Sequence, residues 1–265
     1  MRIFFLLCLV PLWAASPTLA PAPVEPLQVL WIGNSYTAQT QAYLAGFVAA
    51  DASVELEAGV ATQGGWTLWD HYANRLRPSY DGNTRSLEQK LQEKTWDVVI
   101  LQEQSTRPSQ AWLGNPSELA AFKDGVLQLD AYVRQWAPNA TLRYFQTWPR
   151  AQGAAYLQAY FGNEPLAMHK ATRAAYGAAA AATMTLITPV GDAWMYSMDQ
   201  NPALDLHKPD LSHPDVPGAY LTGAVFYAFL FEKSPQGSSF QANLSTTDSA
   251  WLQTVAYRTW IRLGS

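Results

Sequence analysis

The sequence predicts an α/β protein, with a five-stranded parallel sheet between helical layers in a three-layer α/β/α sandwich. Its short apolar runs do not alternate with polar residues, which is typical of strands buried on both faces. Between these runs lie segments long enough for the crossover helices that parallel strands require. The 265 residues show no repeat and no change of composition, so residues 27–265 are predicted to form one domain.

The first half of the chain contains three of these runs. Leu27–Ile32 (LQVLWI) is a continuous apolar strand, and residues 39–50 suit the helix that follows it. Val54–Ala58 is predicted as the second strand, and a Gly-Gly pair separates it from a helix at Thr67–Leu76. Asp97–Leu101 (DVVIL) is the third buried strand.

The second half opens with a long amphipathic helix, Ser117–Trp136, which ends before Pro138 because proline cannot continue a helix. The remaining predicted elements are two strands, Leu142–Gln146 and Leu186–Pro189, an Ala-rich helix at about 165–182 between them, and two C-terminal helices, Tyr220–Phe231 and Thr247–Ile261. Strands therefore alternate with helices along most of the chain.

The N-terminal segment Met1–Ala22 resembles a signal peptide rather than part of the fold. Arg2 supplies a positive charge, and the apolar run Ile3–Ala15 is shorter than the roughly 20 residues that span a bilayer. We expect cleavage and a periplasmic or extracellular protein; an uncleaved N-terminal anchor is the alternative. Cys8 is the only cysteine, so the mature chain would contain neither disulfides nor thiolate sites.

The charge balance excludes several classes of partner. The chain has 17 Lys and Arg against 21 Asp and Glu, a net charge of −4, without a basic run. This argues against nucleic acid and anionic membrane surfaces as partners. No integral membrane segment is expected after signal removal, and no pattern indicates an oligomeric state.

Polar residues follow the predicted strands at the edge where ligands bind in such sheets. Ser35 comes directly after the first strand, Gly65 after the second, and Gln102–Ser105 after the third. A serine on a strand-to-helix turn can act as a nucleophile and can stabilise an oxyanion with its own amide. His213 is the candidate base, and Asp210, three residues earlier, can orient it.

These blocks resemble those of the SGNH (GDSL-type) hydrolases. Ile32–Tyr36 (IGNSY) is similar to the family's first block, with Asn where GDSL members have Asp, and Asp210–Pro214 (DLSHP) is similar to the last. Gly65 aligns with the glycine that donates its amide to the oxyanion. The resemblance is closest to a branch of secreted bacterial members that also carry Leu-Gln-Glu after the third strand.

The third block departs from the family's Gly-x-Asn-Asp pattern. Gln104 falls at the position of the Asn whose side chain completes the oxyanion hole, and Gln102 is the alternative donor. The resemblance therefore implies a flavodoxin-like SGNH hydrolase fold, a triad of Ser35, Asp210 and His213, and an oxyanion hole formed by Ser35, Gly65 and Gln104.

Other polar and aromatic residues receive structural interpretations. Asp205, His207, Asp210 and His213 lie within nine residues, but zinc spacing motifs are absent and the triad explains two of the four, so no metal and no cofactor are predicted. Glu103, His71 and His169 are predicted to be structural. The same holds for most members of a set of tryptophans, of which one or two are expected to line a sugar subsite: Trp66, Trp69, Trp112, Trp148 and Trp194.

The resulting hypothesis is a secreted serine esterase that acts on a small-molecule or glycan ester, with a short acyl group such as acetyl on a carbohydrate as the expected substrate. The basis for this substrate is family analogy, export and the abundance of aromatic residues. Three alternatives remain at this stage: a lipid or thioester hydrolase, an acyltransferase on the same scaffold, and a non-catalytic glycan-binding module.

Overall fold

The computed structural model describes residues 24–264, which form five strands and ten helices. The strands are β1 Leu27–Gly33, β2 Leu56–Thr62, β3 Val98–Leu101, β4 Thr141–Phe145 and β5 Leu186–Thr188. The helices are α1 Ser35–Ala49, α2 Leu68–Ala73, α3 Leu87–Leu91, α4 Arg107–Trp112, α5 Pro116–Trp136, α6 Ala155–Phe161, α7 Pro165–Thr183, α8 Val190–Gln200, α9 Val216–Phe231 and α10 Thr246–Leu263.

The strands form one parallel sheet in the order β2-β1-β3-β4-β5, which confirms the predicted fold class. This is the flavodoxin-like order, in which the chain changes direction across the sheet between β1 and β3. The carboxyl ends of these two strands therefore border a crevice, and the segments that begin at Asn34 and Gln102 line it.

Both faces of the sheet are covered, as the apolar runs predict. Val29 and Trp31 of β1 enter a core shared with α1, α8, α9 and α10, where Trp31 meets Phe226 edge to face at 4.4 Å. Leu30 and Ile32 enter a second core, formed with α2, α3, α4, α5 and α7. Because side chains on both faces of such a strand are buried, its sequence shows no alternation.

The predicted second strand, Val54–Ala58, is wrong at both ends, because it starts two residues and ends four residues before the observed strand. Val54 is buried in the first core, but it lies in the loop before β2, so burial rather than strand geometry explains its apolar side chain. The strand includes Gly59, where a Cβ would come within 2.4 Å of the Trp96 ring. The helices α3, α4, α6 and α8 were not predicted; α3, α4 and α6 are too short for a helical period to be visible.

The predicted signal peptide Met1–Ala22, with Cys8, lies outside the described residues and stays a prediction. Between residues 24 and 264, no helix combines the length and the hydropathy that a bilayer crossing demands.

Candidate active site

Ser35 stands at the first position of α1, immediately beyond the end of β1. The Asn34 side chain caps the helix, since its Oδ1 accepts a hydrogen bond from the Tyr36 amide at 3.1 Å. The Ser35 Oγ lies 2.9 Å from Nε2 of His213, which comes from a loop 178 residues further along the chain. The sharp strand-to-helix turn thus presents the hydroxyl to an imidazole.

The loop that carries His213 is held in a tight conformation. An antiparallel bridge between His207 and Pro214 closes it, and the Lys208 amide donates to the His213 carbonyl at 2.8 Å. Leu211 adopts a left-handed conformation, with φ of 61°, that few non-glycine residues occupy. The resulting turn places Asp210 Oδ2 at 2.6 Å from His213 Nδ1.

Asp210 is ionised when the site is assembled. Partial burial raises its pKa, but hydrogen bonds from the His213 amide, the His213 ring and the Ser212 amide outweigh that effect and lower the pKa to about 2. An ionised Asp210 can only accept, which selects the neutral tautomer of His213 that carries its proton on Nδ1 and accepts from Ser35 at Nε2. This tautomer is the one that a general base requires.

The first turn of α1 leaves one amide available. Gln102 Oε1 accepts from the amides of Asn34 and Thr37 at 3.0 and 3.3 Å, and the Tyr36 amide is bound by the helix cap. Throughout the described part of the chain, no acceptor is found for the Ser35 amide. A helix N-terminus with a free amide beside the nucleophile is suited to bind a developing oxyanion.

The turn after β2 offers a second free amide. The Trp66 amide donates to the Gln63 carbonyl at 3.3 Å, and Gly65 occupies the turn position with φ of 73°. No acceptor within residues 24–264 is bound to the Gly65 amide. Asn34 Nδ2 donates to the Trp66 carbonyl at 3.0 Å and so ties this turn to the segment that carries Ser35.

The two glutamines of the third block have different surroundings. Gln102 is fully buried, and its amide nitrogen donates to the Glu103 carbonyl while its oxygen organises the start of α1. Gln104 is half-buried; its Oε1 accepts from Thr106 and from the Arg107 amide, which fixes the start of α4. Its Nε2 makes no hydrogen bond with any described residue, so Gln104 has the donor left to offer.

A stack of three aromatic rings packs next to the His213 ring. Tyr36 and Trp148 are parallel with centroids 4.3 Å apart, Trp148 and Trp194 are 4.1 Å apart, and the His213 ring meets Tyr36 at 5.5 Å. Trp148 and Trp194 are fully buried and are core residues. Trp66 is half-buried next to Gly65, whereas Trp69 and Trp112 are exposed.

Three further titratable residues occupy buried positions outside the triad. Burial lowers the pKa of His71 to about 4, so the ring is neutral; its Nε2 donates to the Gly33 carbonyl and its Nδ1 accepts from the Tyr80 hydroxyl. His169 pairs with Asp192 at 3.4 Å. Glu103 accepts from the Leu68 and Gln104 amides, and burial raises its pKa to about 8. These contacts are structural ones.

The raised pKa of Glu103 predicts a pH-dependent stability. The folded state holds the proton more tightly than the unfolded state, so this stabilisation is complete below about pH 4.5 and is lost as the pH rises through about 8. Glu103→Gln mimics the protonated acid at every pH. We therefore expect its free energy of unfolding to rise by a few kcal/mol relative to that of the wild type as the pH increases from 5 to 8. Urea unfolding at both pH values measures this, and a difference that does not change with pH would contradict it.

The four residues considered above as metal ligands make other hydrogen bonds, and Asp210 and His213 contact each other within the proposed triad. His207 Nε2 bonds to the Pro149 carbonyl at 2.9 Å, and Asp205 accepts from the His207 amide. Across residues 24–264, no three His, Cys, Asp or Glu side chains gather in a way that could hold a metal ion.

Comparison with known proteins was made at the level of sequence and of structure. No protein-family model matches the sequence, and no curated protein matches it. A DUF4886 family protein from Bacteroides uniformis aligns with a TM-score of 0.75 at 20% identity and covers 91% of this chain and 97% of its own.

Two further structures relate the fold to a family. A protein from Slackia heliotrinireducens assigned to the SGNH hydrolases has a TM-score of 0.58 at 25% identity, over 78% of this chain and all of its own. A mutant acetyl-xylooligosaccharide esterase from Geobacillus has a TM-score of 0.53 at 16% identity, over 84% and 99%. The resemblance to this family is thereby confirmed at the level of the fold: the chain has the fold of the SGNH (GDSL-type) hydrolases.

Proposed function

We propose that this chain is a serine esterase that removes a short acyl group, such as acetyl, from a carbohydrate. The observation that carries the proposal is the continuous hydrogen-bonded line from Ser35 through His213 to Asp210, with free amides beside the nucleophile. The SGNH hydrolases and the acetyl-xylooligosaccharide esterase with the same fold support ester hydrolysis.

The geometry performs the reaction in two halves. Ser35 Oγ attacks the ester carbonyl while His213 Nε2 takes its proton, and the amides of Ser35 and Gly65 with the Gln104 side chain hold the oxyanion. Collapse breaks the bond to the alcohol, which leaves with the proton from His213. Water then attacks the acyl-enzyme, again with His213 as base, and releases the acid and free Ser35.

The carbohydrate part of the proposal is supported by the surroundings of the triad. Trp66 is half-buried next to the Gly65 turn, and it is the aromatic side chain to which we assign packing against a sugar ring. The apolar groove of about 630 Å³ between α4, α5 and α7 is lined by none of the proposed catalytic residues. No observation therefore favours a long acyl chain over a short one.

The test is a substrate series. Purified protein is assayed for acetate release from acetylated xylooligosaccharides, and for hydrolysis of 4-nitrophenyl acetate, butyrate and octanoate. We expect activity on the acetylated glycans and a decline in kcat/KM with chain length. Fastest turnover of the octanoate would favour the lipid hydrolase, transfer to added sugar would indicate an acyltransferase, and glycan binding without turnover would indicate a binding module.

The role of Gln104 yields a sharper prediction. Gln104→Glu keeps an oxygen for the Thr106 and Arg107 amides but replaces the free donor by a carboxylate oxygen. We expect kcat to fall on the order of 10²–10³-fold with little change of KM, because an oxyanion donor acts in the transition state. Thermal melting checks that the fold persists. A variant with wild-type kcat would remove Gln104 from the oxyanion hole.

A further inference from the structure

Arg150 joins three of the segments that build the proposed active site. It follows β4, and its Nη1 donates to the Tyr36 hydroxyl at 2.6 Å, next to Ser35. Its Nη2 donates to Ser105 Oγ at 2.9 Å, next to Gln104. The Tyr36 hydroxyl in turn donates to the Ser212 carbonyl at 2.8 Å, next to His213. The guanidinium therefore contacts the chain neighbours of Ser35 and Gln104 directly and reaches the neighbour of His213 through Tyr36.

The charge of this guanidinium is not neutralised. In the described part of the chain, no carboxylate oxygen lies within 4.0 Å of Arg150, although the side chain is only half-exposed. Two of its N–H groups bind neutral hydroxyl oxygens, and the other three of the five have no acceptor there. A partly desolvated cation with free donors is a site for an anion.

A second cation, Lys208, contacts the helix that carries Ser35. Lys208 Nζ donates to Gln39 Oε1 at 2.6 Å, and Gln39 lies one helical turn after Ser35 on the same face of α1. Among residues 24–264, Lys208 likewise has no ion-pair partner. The nearby Asp210 carboxylate is occupied by His213 and Ser212. Two cations without an ion-pair partner among the described residues, Arg150 and Lys208, therefore contact the segments that carry the triad, in a protein of net charge −4.

We propose that Arg150 binds a carboxylate of the substrate, so that the ester hydrolysed at Ser35 is carried by an acidic sugar such as a uronic acid. This inference rests on the proposed esterase function. The acetyl group of the proposed substrate is uncharged, which places the anion on the sugar. The planar guanidinium can bind the carboxylate through two parallel hydrogen bonds, and Lys208 adds attraction at longer range.

The experiment compares two esters that differ at one carbon: O-acetylated methyl glucuronoside, with a carboxylate, and O-acetylated methyl glucoside, with a hydroxymethyl group. We expect the wild type to prefer the acidic ester. Arg150→Met should lower the acidic-to-neutral ratio of kcat/KM on the order of 10- to 100-fold, chiefly through KM for the acidic ester. Arg150→Lys should lower the ratio less, because lysine keeps the positive charge but cannot form the two parallel hydrogen bonds of a guanidinium.

The matched control is Arg258→Met. Arg258 also donates to a tyrosine hydroxyl and lies over that ring, at Tyr196, but it lies on α10, far along the chain from the triad loops. It should leave the ratio unaltered. If Arg150→Met lowers kcat/KM equally for both esters, Arg150 only holds the loops together, and the inference is wrong. No preference of the wild type for the acidic ester overturns it as well.

A binding measurement separates this inference from the esterase proposal. Titration calorimetry on folded Ser35→Ala protein should show tighter binding of methyl glucuronoside than of methyl glucoside, and the added Arg150→Met change should abolish the difference. If that preference is present but the wild type hydrolyses neither ester, the esterase proposal fails and the anion site stands. If hydrolysis depends on Ser35 but the acidic ester is not preferred over the neutral one, the esterase proposal stands and the anion-site proposal fails.

Discussion

Replacement of Ser35 by alanine should abolish ester hydrolysis while the fold is retained. The Ser35 hydroxyl contacts His213 at 2.9 Å and contributes little packing, so its loss removes the nucleophile and little else. Loss of a triad member lowers kcat by about 10⁴-fold or more, with only a residual rate from the oxyanion hole and substrate binding. Acetate release and thermal melting, measured on the same preparation, check both parts of the expectation.

The matched control for this variant is Ser117→Ala. Ser117 is an exposed serine near the start of α5 whose hydroxyl bonds only to Asn115. It should leave turnover at the wild-type level, so that any loss in Ser35→Ala is specific to position 35. Folded Ser35→Ala protein with wild-type turnover would end the proposed mechanism.

Asp210→Asn has the second largest expected effect. The asparagine oxygen can still accept from the Ser212 and His213 amides, so the loop keeps its shape. Its amide nitrogen would donate to His213 Nδ1 and drive the ring proton to Nε2, which then can no longer accept from Ser35. Such a change of tautomer lowers kcat by about 10⁴-fold in triads of this kind. Steady-state kinetics on an acetyl ester provide the measurement.

Asp205→Asn is the control within the same loop, since Asp205 accepts from the His207 amide and does not touch the triad. A similar loss in both variants would mean that the loop, not the ionised Asp210, is affected. The folded-state pKa of Asp210 is lowered from 3.8 to about 2, so its stabilisation is present above pH 3.8 and disappears as the pH falls through about 2. Asp210 therefore does not titrate in the range where the enzyme would be assayed.

The elements that were predicted best are those set by burial on both faces of a strand or by a turn within a few residues. β1 and β3 are buried on both faces, so their composition alone indicates a strand. Ser35, Asp210 and His213 are brought together as the sequence blocks suggest, because the turn after β1 and the closed loop before α9 are local structures. Their catalytic roles remain predictions.

The parts that were not predicted depend on contacts between distant segments. Nothing in the string Gln-Glu-Gln distinguishes a glutamine that organises α1 from one that starts α4, because the difference lies in partners such as Asn34, 68 residues away. Arg150 belongs to no sequence block; its position next to Tyr36 arises from the packing of β4 beside β3. An arginine in the segment that follows a strand of the parallel sheet, five positions after the end of β4, was the available signal.

The residues at positions 33 and 102 constrain each other. A Cβ at Gly33 would come within 2.7 Å of Gln102 Oε1 and 2.5 Å of Thr37 Oγ1, so any side chain there would displace the acceptor that orders the start of α1. A smaller residue at position 102 would free that space but would leave the amides of Asn34 and Thr37 without their acceptor. The two positions are therefore epistatic: substitutions at either should be non-additive in a double-mutant cycle, and exchange of position 102 for the family's glycine would require a new acceptor for these amides at the same time.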